Sequence, residues 1–306
     1  MQDIAFVNQV LERCDSLKAA KLWDSEPKLS PRRWLGNFEE KDRVLAAAIL
    51  SQLTYFSDLA TETMFASALF LLQHRRFDPS SELQRARLDF YQRLEAALFT
   101  PVEGETPNPT DSGNFFCRKA REILGIDESK IRDPKEALEG LGPGDTLYLL
   151  DDFIGTGEQV VKMWARDYAD SSPKSLKEAV GISGIEVAVV CAVATRGGAE
   201  RITGSTGMPV FAEQLIDDRY KIQSLPDMAE LPQHQDLRSK VADLLRRVSP
   251  RLDLSAKPFL QGDQRAFGFG EQGLSLIFSH GAPDGSLPVL WAPASKDWKP
   301  LFVASP

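Results

Sequence analysis

The chain has few of the residues that build stapled or metal-centred proteins. Among 306 residues there are three cysteines, Cys14, Cys117 and Cys191, too scattered for a disulfide framework or a cysteine-based zinc site. Histidine is equally sparse: His74, His234 and His280 are too few and too far apart to suggest a histidine-rich metal centre. No apolar run approaches the roughly 20 residues needed to cross a bilayer. The first stretch, Met1 to Leu11, carries Asp3 and runs into Glu12, without the layout of a signal peptide. A cytoplasmic protein with no membrane partner is the expectation. Positive charge is in deficit, with a net charge of −8, so no broad electrostatic attraction to nucleic acid is expected. The nearest basic patch, His74-Arg75-Arg76 with Arg85 and Arg87, reads first as a solvated helix face. Glycine is missing between Gly36 and Gly104, and that stretch shows no strand alternation.

The composition, 42% hydrophobic and 26% charged, is that of an ordinary globular protein, and the length supports one large core or two modest ones. Up to residue 97 the pattern is helical. Apolar residues recur at helical spacing over Phe38–Leu53 and Phe56–Gln73, with a break at Thr54–Asp58, and a third helix is predicted over Ser81–Leu98. Trp23 and Trp34 read as packing residues at the edge of this helical block. From Leu98 strands alternate with helices. Phe99–Val102 reads as a strand entering a polar loop at Glu103–Ser112, followed by a helix over Gly113–Leu124. Thr146–Leu150 is the next strand, with a helix to about Tyr168; Ile185–Val193 is a buried strand, Gly197–Ile202 a short helix, and Pro209–Phe211 opens a further strand. That alternation predicts a parallel sheet. Beyond it, Gln235–Val248 reads as a helix with an apolar stripe at Leu237, Val241, Leu244 and Leu245, and Leu274–Phe278 as a strand.

Residues 148–159 hold most of the functional information. An apolar strand runs into two adjacent carboxylates, Asp151 and Asp152; a Gly155-Thr156-Gly157 turn follows, then an amphipathic stretch from Val160. Unpaired N–H groups and the dipole at a helix N-terminus suit an anion, and glycine lets backbone close around it. Thr156 offers a hydroxyl to a phosphate oxygen, and the two acids suit sugar hydroxyls or the water shell of Mg²⁺. Together they suit a phosphorylated ribose. The alternative is a plain strand-to-helix loop with a capped helix. A Walker A loop is excluded because no lysine follows the glycines, and the dinucleotide Gly-x-Gly-x-x-Gly spacing is absent.

This segment resembles the phosphoribosyl pyrophosphate (PRPP) motif of the type I phosphoribosyltransferases. The resemblance implies an α/β fold, with a parallel-sheet phosphoribosyltransferase-like core (98–306, including a C-terminal extension) behind an N-terminal helical subdomain (1–97). It implies that Asp151 and Asp152 face the ribose hydroxyls as the catalytic pair, and that Ile154, Gly155, Thr156, Gly157, Glu158 and Gln159 hold the 5′-phosphate. It also implies Mg²⁺ as cofactor and PRPP or a related nucleotide as ligand. With Trp34-Leu35 and Phe38 near the start and residues 283–291 near the end, the chain is similar to the phosphoribosyltransferase-like proteins of prokaryotic conflict systems, anti-phage gene clusters among them. That likeness spans about Trp34 to Phe302 and implies an effector or sensor working with a protein partner from a neighbouring gene.

A second anion site is implied in the loop Glu103–Gly113, with Ser112, Gly113 and Arg118 as pyrophosphate-loop candidates; Asp111 or Ser112 could equally just cap the helix. The motif also departs from the family pattern. Gly155 stands where a base-directed acid can be found, Glu158 adds negative charge to the turn, and Gln159 replaces a hydroxyl residue. Asp218, with Asp152, is the candidate metal ligand, and Asp217 its neighbour; Arg196 and Arg201 could meet a phosphate, and His280 could act as acid or base. Two readings stand: a transferase moving phosphoribosyl to a nitrogenous acceptor, or an inactive sensor of PRPP or nucleotide that regulates a partner. A purely structural helical adaptor would bind neither.

Overall fold

The structure is a computed structural model that describes residues 2–74, 83–104, 112–170, 172–231 and 233–304. In chain order its elements are α1 (Gln2–Ala19), α2 (Pro31–Leu35), α3 (Arg43–Ser51), β1 (Thr54–Phe56), α4 (Asp58–His74), α5 (Leu83–Ala96), β2 (Leu98–Pro101), α6 (Ser112–Leu124), α7 (Pro134–Gly140), β3 (Thr146–Ile154), α8 (Glu158–Ala165), α9 (Leu176–Ser183), β4 (Glu186–Thr195), α10 (Arg196–Thr206), β5 (Val210–Ile216), α11 (Leu237–Val248), α12 (Gln264–Phe267), β6 (Leu276–Phe278) and α13 (Pro288–Trp291). Among the described residues no helix is long and apolar enough to cross a membrane. The fold is α/β with parallel sheets, as the alternating pattern predicts.

Two compact units divide the chain. One is contiguous, Thr61–Ile216; the other joins Met1–Ala60 to Asp217–Pro306. This division differs from the cut at 97/98 expected from the sequence. The reason is β1: the break at Thr54–Asp58 is a strand, and it pairs in parallel with β6, Thr54 opposite Leu276 and Phe56 opposite Phe278. The first sixty residues therefore share a sheet and a core with the last ninety.

In that discontinuous unit the apolar stripe of α11 (Leu237, Val241, Leu244, Leu245) is buried as its helical spacing demands, in one cluster with Phe6, Val44, Ile49, Ile277 and Leu290. Trp34 is fully buried and donates its indole N–H to the Val289 carbonyl at 2.7 Å. Phe38 meets it edge-on at 4.9 Å and meets Trp298 at 5.7 Å, so aromatic packing closes this core. Trp23 is buried in the same cluster. Arg247 grips the Asp42 carboxylate with both terminal nitrogens, at 2.9 and 3.1 Å, tying α11 to the start of α3.

The contiguous unit holds a four-stranded, all-parallel sheet in the order β2-β3-β4-β5. Its register sets Leu98 opposite Leu147, Leu150 opposite Val190, and Val190 opposite Phe211. Nine of the ten residues of β4 are buried, which is why Ile185–Val193 reads as one apolar run rather than an alternation. α6 lays Phe116, Cys117 and Ala120 inward, and Phe116 packs edge-on against Phe65 of α4 at 4.8 Å. Its first turn comes very close to the end of β2: a Cβ on Gly113 would stand 2.8 Å from the Val102 carbonyl oxygen. Two helices of this unit go beyond the elements read from the sequence. α7 is capped by Asp133 ahead of Pro134, and α9 by Ser175, whose hydroxyl accepts the Glu178 N–H.

Candidate functional site

Asp151 and Asp152 lie near the carboxyl end of β3, a central strand, where open parallel sheets bind ligands. Both are nearly enclosed, at 5% and 9% exposure. They are differently engaged. Asp151 turns inward: Ser112, the first residue of α6, donates its hydroxyl to Oδ1 at 2.7 Å, and the Asp152 N–H reaches the same oxygen at 2.9 Å. Burial, then the Asp152 charge, then the hydrogen bond to Asp152 push the Asp151 carboxyl well above the usual range; Ser112 and the Asp152 amide pull it back only in part. Around it the Cys117 and Cys191 thiols are buried and pushed up, so they serve as packing rather than as nucleophiles.

Past Ile154, which is buried in the sheet core and can offer only backbone, the chain turns through Gly155, Thr156 and Gly157 into α8. Gly157 caps the helix with φ +72°, a left-handed conformation natural to glycine, and a Cβ there would stand 2.6 Å from the Gly198 carbonyl oxygen. The Thr156 hydroxyl accepts the Glu158 N–H at 3.3 Å. The first turn of α8 then leaves backbone donors at Gln159 and Val160, the standard inventory of a helix N-terminus. Glu158 does not stand as a bare charge in this turn. Lys162 pairs with it at 2.7 Å and Arg201 approaches at 3.9 Å. Gln159 is exposed.

The turn is held from behind by a segment that the sequence reading passed over. Thr195, the last residue of β4, donates its hydroxyl to the Gly155 carbonyl oxygen at 2.6 Å and accepts the Gly198 N–H at 2.9 Å, capping α10. Gly198 must be a glycine here, because a Cβ would lie 2.1 Å from that same carbonyl oxygen. A strand ending in threonine and followed by paired glycines was the signal available. Arg196 is exposed at the head of α10.

The other candidates separate. Ser112 is beside Asp151, whereas Gly113 is occupied by its contact with β2 and Arg118 faces solvent on α6. Glu103 and Gly104, where the expected pyrophosphate loop begins, are held by Arg166 just beyond α8: the guanidinium reaches the Gly104 carbonyl at 2.7 Å and the Glu103 carboxylate at 3.4 Å. Residues 105–111, including Asp111, lie outside the described residues, as do Arg75, Arg76 and the side chains of His74 and Arg87 from the basic run. Asp217 and Asp218 belong to the discontinuous unit, where Asp217 is bonded to Arg219 and Asp218 pairs with Lys221 at 2.7 Å. His280 stacks near Phe278 in that unit, with ring centres 5.3 Å apart. Among the described residues no cluster of three or more His, Cys, Asp or Glu could hold a metal ion.

A strand ending in paired acids, a glycine-threonine-glycine turn and a helix N-terminus can hold a ribose and its phosphate. A profile of the family PRTase-CE matches residues 31–303. The chain belongs to the PRTase-CE family. The family is phosphoribosyltransferase-like, and its match spans both compact units rather than the sheet alone. Membership supports a phosphoribosyltransferase-type function for this PRTase-CE chain. Comparison with curated proteins finds no match.

Proposed function

We propose that this PRTase-CE protein binds a ribose 5-phosphate moiety, with PRPP as its natural donor form, and transfers phosphoribosyl to a nitrogenous acceptor. The observation that carries the reading is the continuity of Asp151 and Asp152, the Gly155–Gly157 turn and the N-terminus of α8 at the end of one central parallel strand. In this reading the donors of the turn and of Gln159 hold the phosphate, and Asp152 accepts from the ribose hydroxyls. Displacement at the ribose C1 passes through a charge-separated transition state, so the chain's own contribution is to position the sugar and exclude water. Among the described residues there is no group of three His, Cys, Asp or Glu that could hold a metal ion. Asp152 and the substrate's own oxygens would hold Mg²⁺, a hard cation that neutralises a leaving pyrophosphate when bound.

One observation favours a second reading. Asp151 is enclosed, bonded to Ser112 and biased toward its neutral form, which suits a structural acid better than a ribose ligand. A sensor that binds the nucleotide and regulates a protein partner needs only the turn and Asp152.

Thermal unfolding with ribose 5-phosphate, and with PRPP plus Mg²⁺, tests the binding claim. Ligand at about a hundredfold over Kd stabilises the native state by roughly 2.7 kcal/mol, a shift of a few degrees. Wild type is expected to show that shift and Asp152→Asn to lose most of it; no shift with either ligand rejects the reading. Release of pyrophosphate with a candidate base then separates transferase from sensor.

A further inference from the structure

We infer that Thr195 is a positioning residue for the phosphate turn, setting the peptide between Gly155 and Thr156 so that its N–H, not its carbonyl oxygen, faces the anion. The inference rests on the ribose-phosphate reading above and assigns a role to a residue outside the motif.

A trans peptide carries its C=O and N–H on opposite sides of one plane. Fixing the direction of the Gly155 carbonyl therefore fixes the Thr156 N–H in the reverse direction. Three contacts fix it. The Thr195 hydroxyl donates to the Gly155 oxygen at 2.6 Å. That hydroxyl is itself held, because its oxygen accepts the Gly198 N–H at 2.9 Å as the cap of α10. The carbonyl oxygen then rests over Gly198, in space that the missing Cβ leaves open. Thr195 is buried, so water does not compete for the bond. By that geometry the Thr156 N–H is turned to the side opposite the Gly155 carbonyl, and among the described residues no backbone carbonyl takes it.

The alternative orientation shows why this matters. If the peptide turned over, a carbonyl oxygen would face the phosphate, exchanging an attractive dipole for a repulsive one at the centre of the turn. Glycine at 155 makes such a flip sterically easy. The sequence that makes the turn tight enough for an anion thus also makes it prone to reversal, and β4 supplies the restraint.

The test is a titration of ribose 5-phosphate followed by calorimetry and by the backbone amide signals of the intact chain. Wild type is expected to bind with a downfield shift of the Thr156 amide. Thr195→Val, which keeps the shape but removes the donor, is expected to bind roughly tenfold more weakly, the scale of one lost hydrogen bond, and to lose that shift. Thr195→Ser is expected to stay within about twofold of wild type, since it restores the donor. Equal binding by Thr195→Val, with the Thr156 shift intact, overturns the inference while leaving the ribose-phosphate reading standing. Failure of wild type to bind rejects that reading, and this inference with it. Should Thr195→Val not fold, wild type decides alone: a Thr156 amide unmoved at saturation overturns the proposal.

Discussion

Ser112 and Asp151 are joined by a 2.7 Å hydrogen bond that runs from the first turn of α6 to the carboxyl end of β3. The bond links α6 to the acid pair of the motif. It also supports a carboxyl that burial would otherwise leave as a liability. The partners of Asp151 are a hydroxyl, a backbone amide and another acid; the opposing positive charge that usually accompanies a buried carboxylate is missing from this set.

Asp151→Asn is expected to stabilise the protein at neutral pH. The folded-state pKa is raised, so between the ordinary carboxylate range and that raised value the native state holds a proton that the unfolded chain gives up. Stability thus falls as pH rises through this window in wild type, and the asparagine escapes that loss. The gain in melting temperature should amount to at least about 2 °C near pH 7 and shrink toward zero near pH 4. A melting series across pH checks it, and a gain that grows on acidification contradicts the sign.

Ser112→Ala removes one of the two contacts that favour the charged form of Asp151. It should raise the Asp151 pKa further and cost about 1 kcal/mol in urea unfolding. The carboxyl titration, followed by carbon-13 signals, is the direct readout.

Gly157→Ala places a Cβ 2.6 Å from the Gly198 carbonyl and forces alanine to φ +72°. The left-handed backbone alone costs about 1 kcal/mol, and the clash adds to it. Expected are a loss of about 2 kcal/mol or more in stability and loss of detectable ribose 5-phosphate binding. Alanine at Gly197, where a Cβ meets open space, is the matched control and should be close to neutral.

Glu158→Gln frees Lys162 and Arg201 from their carboxylate partner and removes a negative charge from the first turn of α8. Phosphate affinity should rise by about two- to fivefold at low salt, the range of a single charge at a helix N-terminus. The advantage should fade at about 0.5 M salt, where exposed charges are screened. Calorimetry at the two ionic strengths measures both halves.

Asp42→Ala tests the other unit. It abolishes the paired bonds to Arg247, and because that guanidinium is half exposed the expected loss is about 1 kcal/mol. Trp23, Trp34, Trp291 and Trp298 belong to this unit and only Trp164 to the contiguous one, so tryptophan fluorescence in urea reports it selectively.

The parallel sheet and its motif were readable because their physics is local. β4 is a valine-rich run long enough to declare burial, and residues 148–159 carry strand, turn and helix start in twelve positions. The stripe of α11 was readable for the same reason. β1 was not. Three residues give no alternation to detect, and its partner β6 is specified only by three-dimensional pairing. The grouping of the first sixty residues with the last ninety was not legible for the same reason. At the site, Thr195 and Gly198 were invisible as partners of Gly155 because what they meet there is a backbone carbonyl, which every residue type possesses. The cap of α9, Ser175 with Glu178 three residues on, was legible and went unread.

The pairing of β1 with β6 has a consequence for how the chain is made. Residues 61–216 are complete, sheet and motif included, while β6 has yet to emerge from the ribosome. The contiguous unit can therefore assemble during synthesis, whereas α1, α3 and β1 must wait with apolar faces uncovered until Leu276–Phe278 arrives. For a growing chain, a segment made before the contiguous unit finds its place after it.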